Sequence, residues 1–256
     1  MRVTPFHGGM QISAEMWWLI VLGTFFVAGC VKGVTGMGLP TVAMGVLGAL
    51  MSPAWAAALL LLPSLVTNVL QLVSGGQLGA LLRRLWPMQL AVVAGTLLAS
   101  AWLAGGAADG TARLLGIALV LYALVTLLSR PFRVSPALER VLAPLVGGIT
   151  GVVTGVTGVF VIPAVPFLQA LGLQRDALVQ ALGLSFTVST LALAAGLALH
   201  GALSVGHLLP SSIAVLPALA GMWLGQRLRQ RIRPAAFRTG FLVCLLLLGV
   251  ELAWRG

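Results

Sequence analysis

Lys32 is the residue best equipped for chemistry in this chain, and it stands in a phrase that the sequence spells twice. Residues 29–36 read GCVKGVTG and residues 151–158 read GVVTGVTG, identical at six of eight positions, with Thr154 in the place of Lys32. A lysine in an apolar helix costs roughly 2.5–3.5 kcal/mol at a bilayer centre, and is tolerated where the amine reaches a headgroup, a wet cavity or an anionic ligand. Gly29, Gly33 and Gly36 recur as Gly151, Gly155 and Gly158, with Gly38 added in the first copy. Glycines four apart let two helices approach closely, so packing alone explains part of the pattern. The continuations VTGMGLP and VTGVFVIP add something more, because glycine permits irregular backbone and proline favours the first turn of a new helix. Each phrase therefore reads as a helix, a break at Thr35–Gly38 or Thr157–Gly158, and a second short helix whose free N–H groups can meet an anion.

More polar groups follow at helical spacing: Ser64, Thr67, Asn68 and Gln71, then Ser185, Thr187, Ser189 and Thr190. Hydroxyls in membrane helices bond their own backbone or a neighbouring helix as readily as a ligand. The amide of Asn68 is harder to dismiss, since an unpaired amide in lipid is costly. In the functional reading Lys32 supplies the fixed positive charge and Thr154 its counterpart hydroxyl. Thr35, Gly36, Gly38, Thr157 and Gly158 supply backbone N–H groups, and Ser64, Thr67, Asn68, Thr187 and Thr190 supply hydrogen bonds.

The elements that must position these groups are membrane helices. Of 256 residues, 59% are hydrophobic and only 8% are charged, and the mean hydropathy is +1.08. A soluble domain carries about a quarter charged residues. Apolar runs of ~17–25 residues recur from end to end, the length that crosses the hydrocarbon. The fold class expected is all-α, a polytopic helical membrane protein. Ten segments are expected, at roughly 16–31, 34–51, 53–74, 86–106 and 111–129, then 141–154, 157–172, 176–200, 208–225 and 237–254.

The duplication reaches beyond the glycine phrase. Pro40 matches Pro163, Ser64 matches Thr187, Thr67 matches Thr190 and Pro87 matches Pro210, all at one common shift. This divides the chain into a first membrane repeat (1–129), a cytoplasmic linker RPFRVSPALER (130–140) and a second membrane repeat (141–256). Arg83 and Arg84, then Arg130, Arg133 and Arg140, then Arg227 through Arg238 mark three breaks as cytoplasmic by the positive-inside rule. The 74–86 break then faces inward while its counterpart at 200–208 faces outward. The two halves are expected to be inverted-topology repeats, with interrupted or re-entrant helices at the glycine motifs meeting near the bilayer midplane. Five crossings per half, or three crossings plus a re-entrant hairpin, satisfy that parity equally well.

The net charge of +10 sits in these breaks, so it reports topology and no nucleic acid is expected as a partner. Cys30 and Cys244 lie in apolar segments and imply neither disulfide nor metal. His7, His200 and His207 are not clustered, and G-x-S-x-G is absent. No catalytic residue, cofactor or enzyme activity is therefore expected. The expected partners are the lipid bilayer and a small anion. Small-residue faces serve intramolecular packing or a homodimer equally well.

With these residues assembled, the chain resembles the TauE/SafE sulfite-exporter family, also called the toluene-sulfonate uptake permeases. The resemblance spans nearly the whole chain and rests on its two related halves and the paired motifs GVTGMGLP (33–40) and GVTGVFVIP (155–163). It implies a permease for a small sulfur anion, such as sulfite or a sulfonate, in the bacterial inner membrane. Glu15, Asp109, Glu139, Asp176 and Glu251 fall near segment ends, which leaves no carboxylate in the bundle for proton coupling. Efflux driven by an inside-negative potential through alternating access is the expectation. A carrier of carboxylates and a non-transporting membrane subunit are the alternatives.

Overall fold

A computed structural model describes residues 13–105, 108–128, 133–231 and 234–255. They fold into ten helices with no strand: α1 (Ala14–Thr35), α2 (Leu39–Leu50), α3 (Pro53–Val73), α4 (Leu78–Gly105) and α5 (Ala108–Leu128), followed by α6 (Pro136–Thr157), α7 (Ala164–Ala170), α8 (Arg175–Leu199), α9 (Val205–Leu228) and α10 (Pro234–Arg255). Eight of them are long and apolar enough to cross a membrane; α2 and α7 are shorter. The protein is a multi-pass membrane protein.

Local chemistry sets the helix limits. Ser13, Ser52 and Ser135 each accept an N–H of the first turn of α1, α3 and α6 through their hydroxyls. Pro53 and Pro136 occupy the first helical position, where a missing N–H costs nothing. α1 and α6 both stop at the repeated phrase. Gly36 (φ 81°) and Gly158 (φ 73°) take the left-handed conformation that favours glycine, and their N–H groups donate to the Lys32 and Thr154 carbonyls.

Neighbouring residues define how the helices run. Trp17 stacks near Trp55 while Lys32 meets Thr67, so α1 and α3 are parallel. Gly29 faces Ala218 and Gly33 faces Met222, so α9 is parallel to α1. Gly147, Gly151 and Gly155 face Met88, Val92 and Thr96 in turn, so α4 and α6 are parallel to each other. Gly75 lies on Gln180 while Ser64 reaches Thr190, so α3 and α8 are antiparallel. Gly116 lies against Ala253 and Gly249 against Val120, so α5 and α10 are antiparallel. At Gly29, Gly33, Gly147 and Gly151 an added Cβ would lie 2.1–2.4 Å from a backbone oxygen of the partner helix. These helices touch backbone to backbone.

The α3–α4 turn lies at the same end as the last turns of α1 and α9 and the first turns of α6, α8 and α10. Arg83, Arg84, Arg140, Arg175, Arg227, Arg229, Arg231 and Arg238 gather there. Arg113, His200 and His207 lie at the other end, with Arg255.

Some boundaries differ from expectation. α4 starts at Leu78 and takes in Arg83 and Arg84, which were expected in a break. It has 28 residues, more than the roughly 20 that a bilayer requires, so its first turns can carry exposed arginines clear of the hydrocarbon. α6 starts at Pro136, inside the expected linker, because Ser135 and Pro136 form a good helix start. His207 is the third residue of α9 and completes a capping box with Ser204.

Candidate functional site

The fold turns the Lys32 side chain inward. Only 1% of the residue is exposed, so the amine does not reach a headgroup or bulk water. Its Nζ donates to Thr67 Oγ1 (3.0 Å) and to Asn68 Oδ1, both on α3. Asn68 Nδ2 donates onward to Ser64 Oγ (3.1 Å) and Thr190 Oγ1 (3.2 Å), and these two hydroxyls are 3.3 Å apart. Thr67 and Thr190 donate their own protons to carbonyls one turn back, Pro63 O and Phe186 O, both at 2.7 Å. That leaves Thr67 and Thr190 as acceptors toward the network, and Asn68 is oriented with its oxygen to the amine and its nitrogen to the hydroxyls. Residues on α1, α3 and α8 thus form one buried polar cluster around the Lys32 amine, and every acceptor the amine touches is neutral.

Among the described residues no carboxylate joins this cluster. Glu139 is held by Arg84 at the arginine-rich end, through Nε–Oε1 (2.6 Å) and Nη2–Oε2 (2.7 Å). Glu251 pairs with Arg255, while Glu15 and Asp176 are exposed. A protonated amine in this low-dielectric interior would be compensated only in part by neutral acceptors, and an anion is the partner that would complete it.

Of the residues expected to bind, Lys32, Ser64, Thr67, Asn68 and Thr190 come together. Gly36 stands beside them through Gln71, whose Nε2 donates to the Gly36 carbonyl at 2.7 Å. Thr35 closes its own turn, donating to Val31 O and Met37 O and accepting from Met37 N. Gly38 (φ 105°) starts α2 with no side-chain cap, and a Cβ there would meet Val31 and Phe241. Thr154, Thr157 and Thr187 bond the carbonyls of Thr150, Val153 and Gly183 on their own helices, each at 2.7 Å. They take no part in the Lys32 cluster.

The two breaks do not meet. Gly36 lies by Gln71, near one end of α3, and Gly158 lies by Met44 and Ala57, near the other. Ala57 and Gln71 are fourteen positions apart on α3, about 21 Å at roughly 1.5 Å per residue. The crossing of α3 and α8 fills the space between.

Other functional groups carry weaker signals in the sequence. Gln89 and Thr96 on α4, and Ser185 and Ser189 on α8, are buried with no hydrogen-bond partner. They lie on the facing sides of the two helices, in line with the Ser100–Gly196 contact. Residues Arg229 and Arg238, read as topology markers, both line a cavity of about 290 Å³ with Thr35, Tyr122, Gln169 and Phe241. Arg229 also borders a wider bowl of about 710 Å³ with Arg175, Asp176 and Gln226. Burial and the Arg175 guanidinium push the Arg229 group below its usual value, a sign that the two cations crowd each other.

No curated protein and no solved structure matches the chain significantly. The family model of the sulfite exporter TauE/SafE matches residues 21–252, which include the whole Lys32 cluster and both glycine breaks. By that match over nearly all of its length, the chain belongs to the sulfite exporter TauE/SafE family, a family of membrane transporters.

Proposed function

We propose that this chain carries a small sulfur oxyanion or sulfonate out of the cell across the bacterial inner membrane, by alternating access between two inverted repeats. The observation that carries the reading is Lys32: a buried amine whose partners, Thr67 and Asn68, are both neutral. A monovalent anion entering the cluster pairs with the protonated amine, and Asn68, Ser64 and Thr190 present an amide and hydroxyls to its oxygens.

The helix pairing supports the inverted plan. α1 lies parallel on α9, and its counterpart α6 lies parallel on α4, the counterpart of α9. α1 and α6 point in opposite directions, as their places on α3 and α4 require. The arginine-rich end, taken as cytoplasmic, agrees with the positive-inside rule. The lack of a carboxylate in the Lys32 cluster supports transport driven by membrane potential without a proton carrier.

Proteoliposomes loaded with labelled sulfite or methanesulfonate test both parts. Lys32→Gln should lower flux by at least about a hundredfold with the fold intact, the loss typical when one partner of a buried charge interaction is removed. Flux at the wild-type level in that variant would overturn the assignment. Collapsing the potential while keeping the pH gradient should stop wild-type transport; persistent flux would refute the potential-driven mode.

A further inference from the structure

We propose that the cavity of about 290 Å³ beneath Arg229 and Arg238 is a second anion site, the docking station a small oxyanion occupies on the arginine-rich side before it reaches Lys32. Its volume is at the small end of ligand pockets, which run from roughly 300 Å³. Both guanidiniums are half-buried, and among the described residues neither forms an ion pair. No carboxylate lines the cavity. Two planar donor forks with no internal acid are suited to the oxygens of a sulfonate or sulfite, and a guanidinium tolerates partial burial better than an ammonium. Gln169 adds an amide and Tyr122 a phenol to the wall, while Val34, Met37 and Phe241 reduce the water that would screen the charges.

The two neighbouring spaces differ in charge. The wider bowl contains Arg175 and Arg229 against one carboxylate, Asp176. The smaller cavity contains Arg229 and Arg238 against none. The attraction for an anion is therefore stronger in the smaller cavity, and Arg229 belongs to both spaces. Thr35 lines the smaller cavity one helical turn from Lys32 on α1. An anion passing from Arg229 to Lys32 exchanges one cation for the next and is never left unpaired in the apolar interior.

This inference rests on the anion-carrier reading, but its test separates the two. Full-length protein is treated with phenylglyoxal, and modification at Arg229 and Arg238 is read by mass spectrometry. Methanesulfonate should protect both arginines in wild type and in Lys32→Gln, and protection should fade at high salt. In transport from the arginine-rich side, Arg229→Gln should raise the half-saturating concentration about tenfold and leave the maximal rate largely unchanged, as loss of a charged docking contact does. Arg229→Lys, which keeps charge and fold but not the fork, should fall between. Unchanged half-saturation in Arg229→Gln would overturn the proposal. So would protection by phosphatidylglycerol vesicles but not by methanesulfonate, which would assign the arginines to a lipid headgroup. Protection without any flux in the wild-type protein would leave the docking site standing and refute the carrier.

Discussion

At Gly36 and at Gly158 the backbone does the same thing: a helix ends on a left-handed glycine whose N–H donates to the carbonyl four residues back. The Thr35 and Thr157 hydroxyls also match, each donating to the carbonyl four residues back and accepting the N–H two residues on, but the other side chains around the turns differ. The first turn follows Lys32, which reaches across to α3 and recruits a hydroxyl of α8 through Asn68. The second follows Thr154, whose hydroxyl bonds its own helix, and it leads into Val159, Phe160 and Val161, all fully buried, with Phe160 against the Phe186 ring. The two phrases share their bends and their close packing, and only the first carries a lysine. Among the described residues the buried lysine cluster thus belongs to the first phrase alone and lies off-centre, toward the arginine-rich end.

Moving the charge to the second copy would break this comparison most severely. Thr154→Lys places an ammonium in a fully buried position whose hydroxyl now bonds only the Thr150 carbonyl. A loss of roughly 3 kcal/mol or more is expected, seen as a large drop in melting temperature or in folded yield. If Thr154→Lys is as stable as wild type, the second copy has a hidden acceptor set and the asymmetry argument fails.

A smaller effect compares the turns themselves. Gly36→Ala has open space, with the nearest atom 4.0 Å from the new Cβ, so it carries only the left-handed penalty of roughly 1–2 kcal/mol. Gly158→Ala carries the same penalty and also presses on Met44 at 3.0 Å, so it should be the more destabilising of the two. Thermal unfolding of the pair checks the order; the reverse order would show that the first turn is the more tightly built.

The smallest effect concerns the Arg84–Glu139 pair, which joins α4 to α6. The matching seam of α1 and α9 has no ion pair among the described residues. The arginine side chain is 40% exposed, so Glu139→Gln should cost about 1 kcal/mol or less, and less still at high salt. A salt-independent loss several times larger would mean that the pair positions α4 and does more than decorate its end.

Much of this was legible from the order of residues. The apolar runs gave the helices, and glycine followed by proline gave the breaks. The spacing of Ser64, Thr67 and Asn68 placed them on the face of α3 that Lys32 meets. What was not legible depends on which neighbour a face receives. Thr154, Thr157 and Thr187 look the same as Thr67 and Thr190 in sequence, because all five bond a carbonyl one turn back. Only the approach of another helix makes some of them acceptors for a partner. The separation of the two breaks follows from the α3–α8 crossing, a contact that no local pattern encodes. The arginines of the 227–238 segment carry a topology signal so strong that it hides the pocket two of them line.

The backbone contacts at Gly29, Gly33, Gly147 and Gly151 limit how such a molecule can change shape. Helices this close would give up extensive backbone van der Waals contact on separating, which ties α1 to α9, and α6 to α4. Each of these couples takes one member from either half of the gene product. The two tight couples are therefore mosaics of the two halves, and a chain severed between those halves would have to interlock before either couple could form.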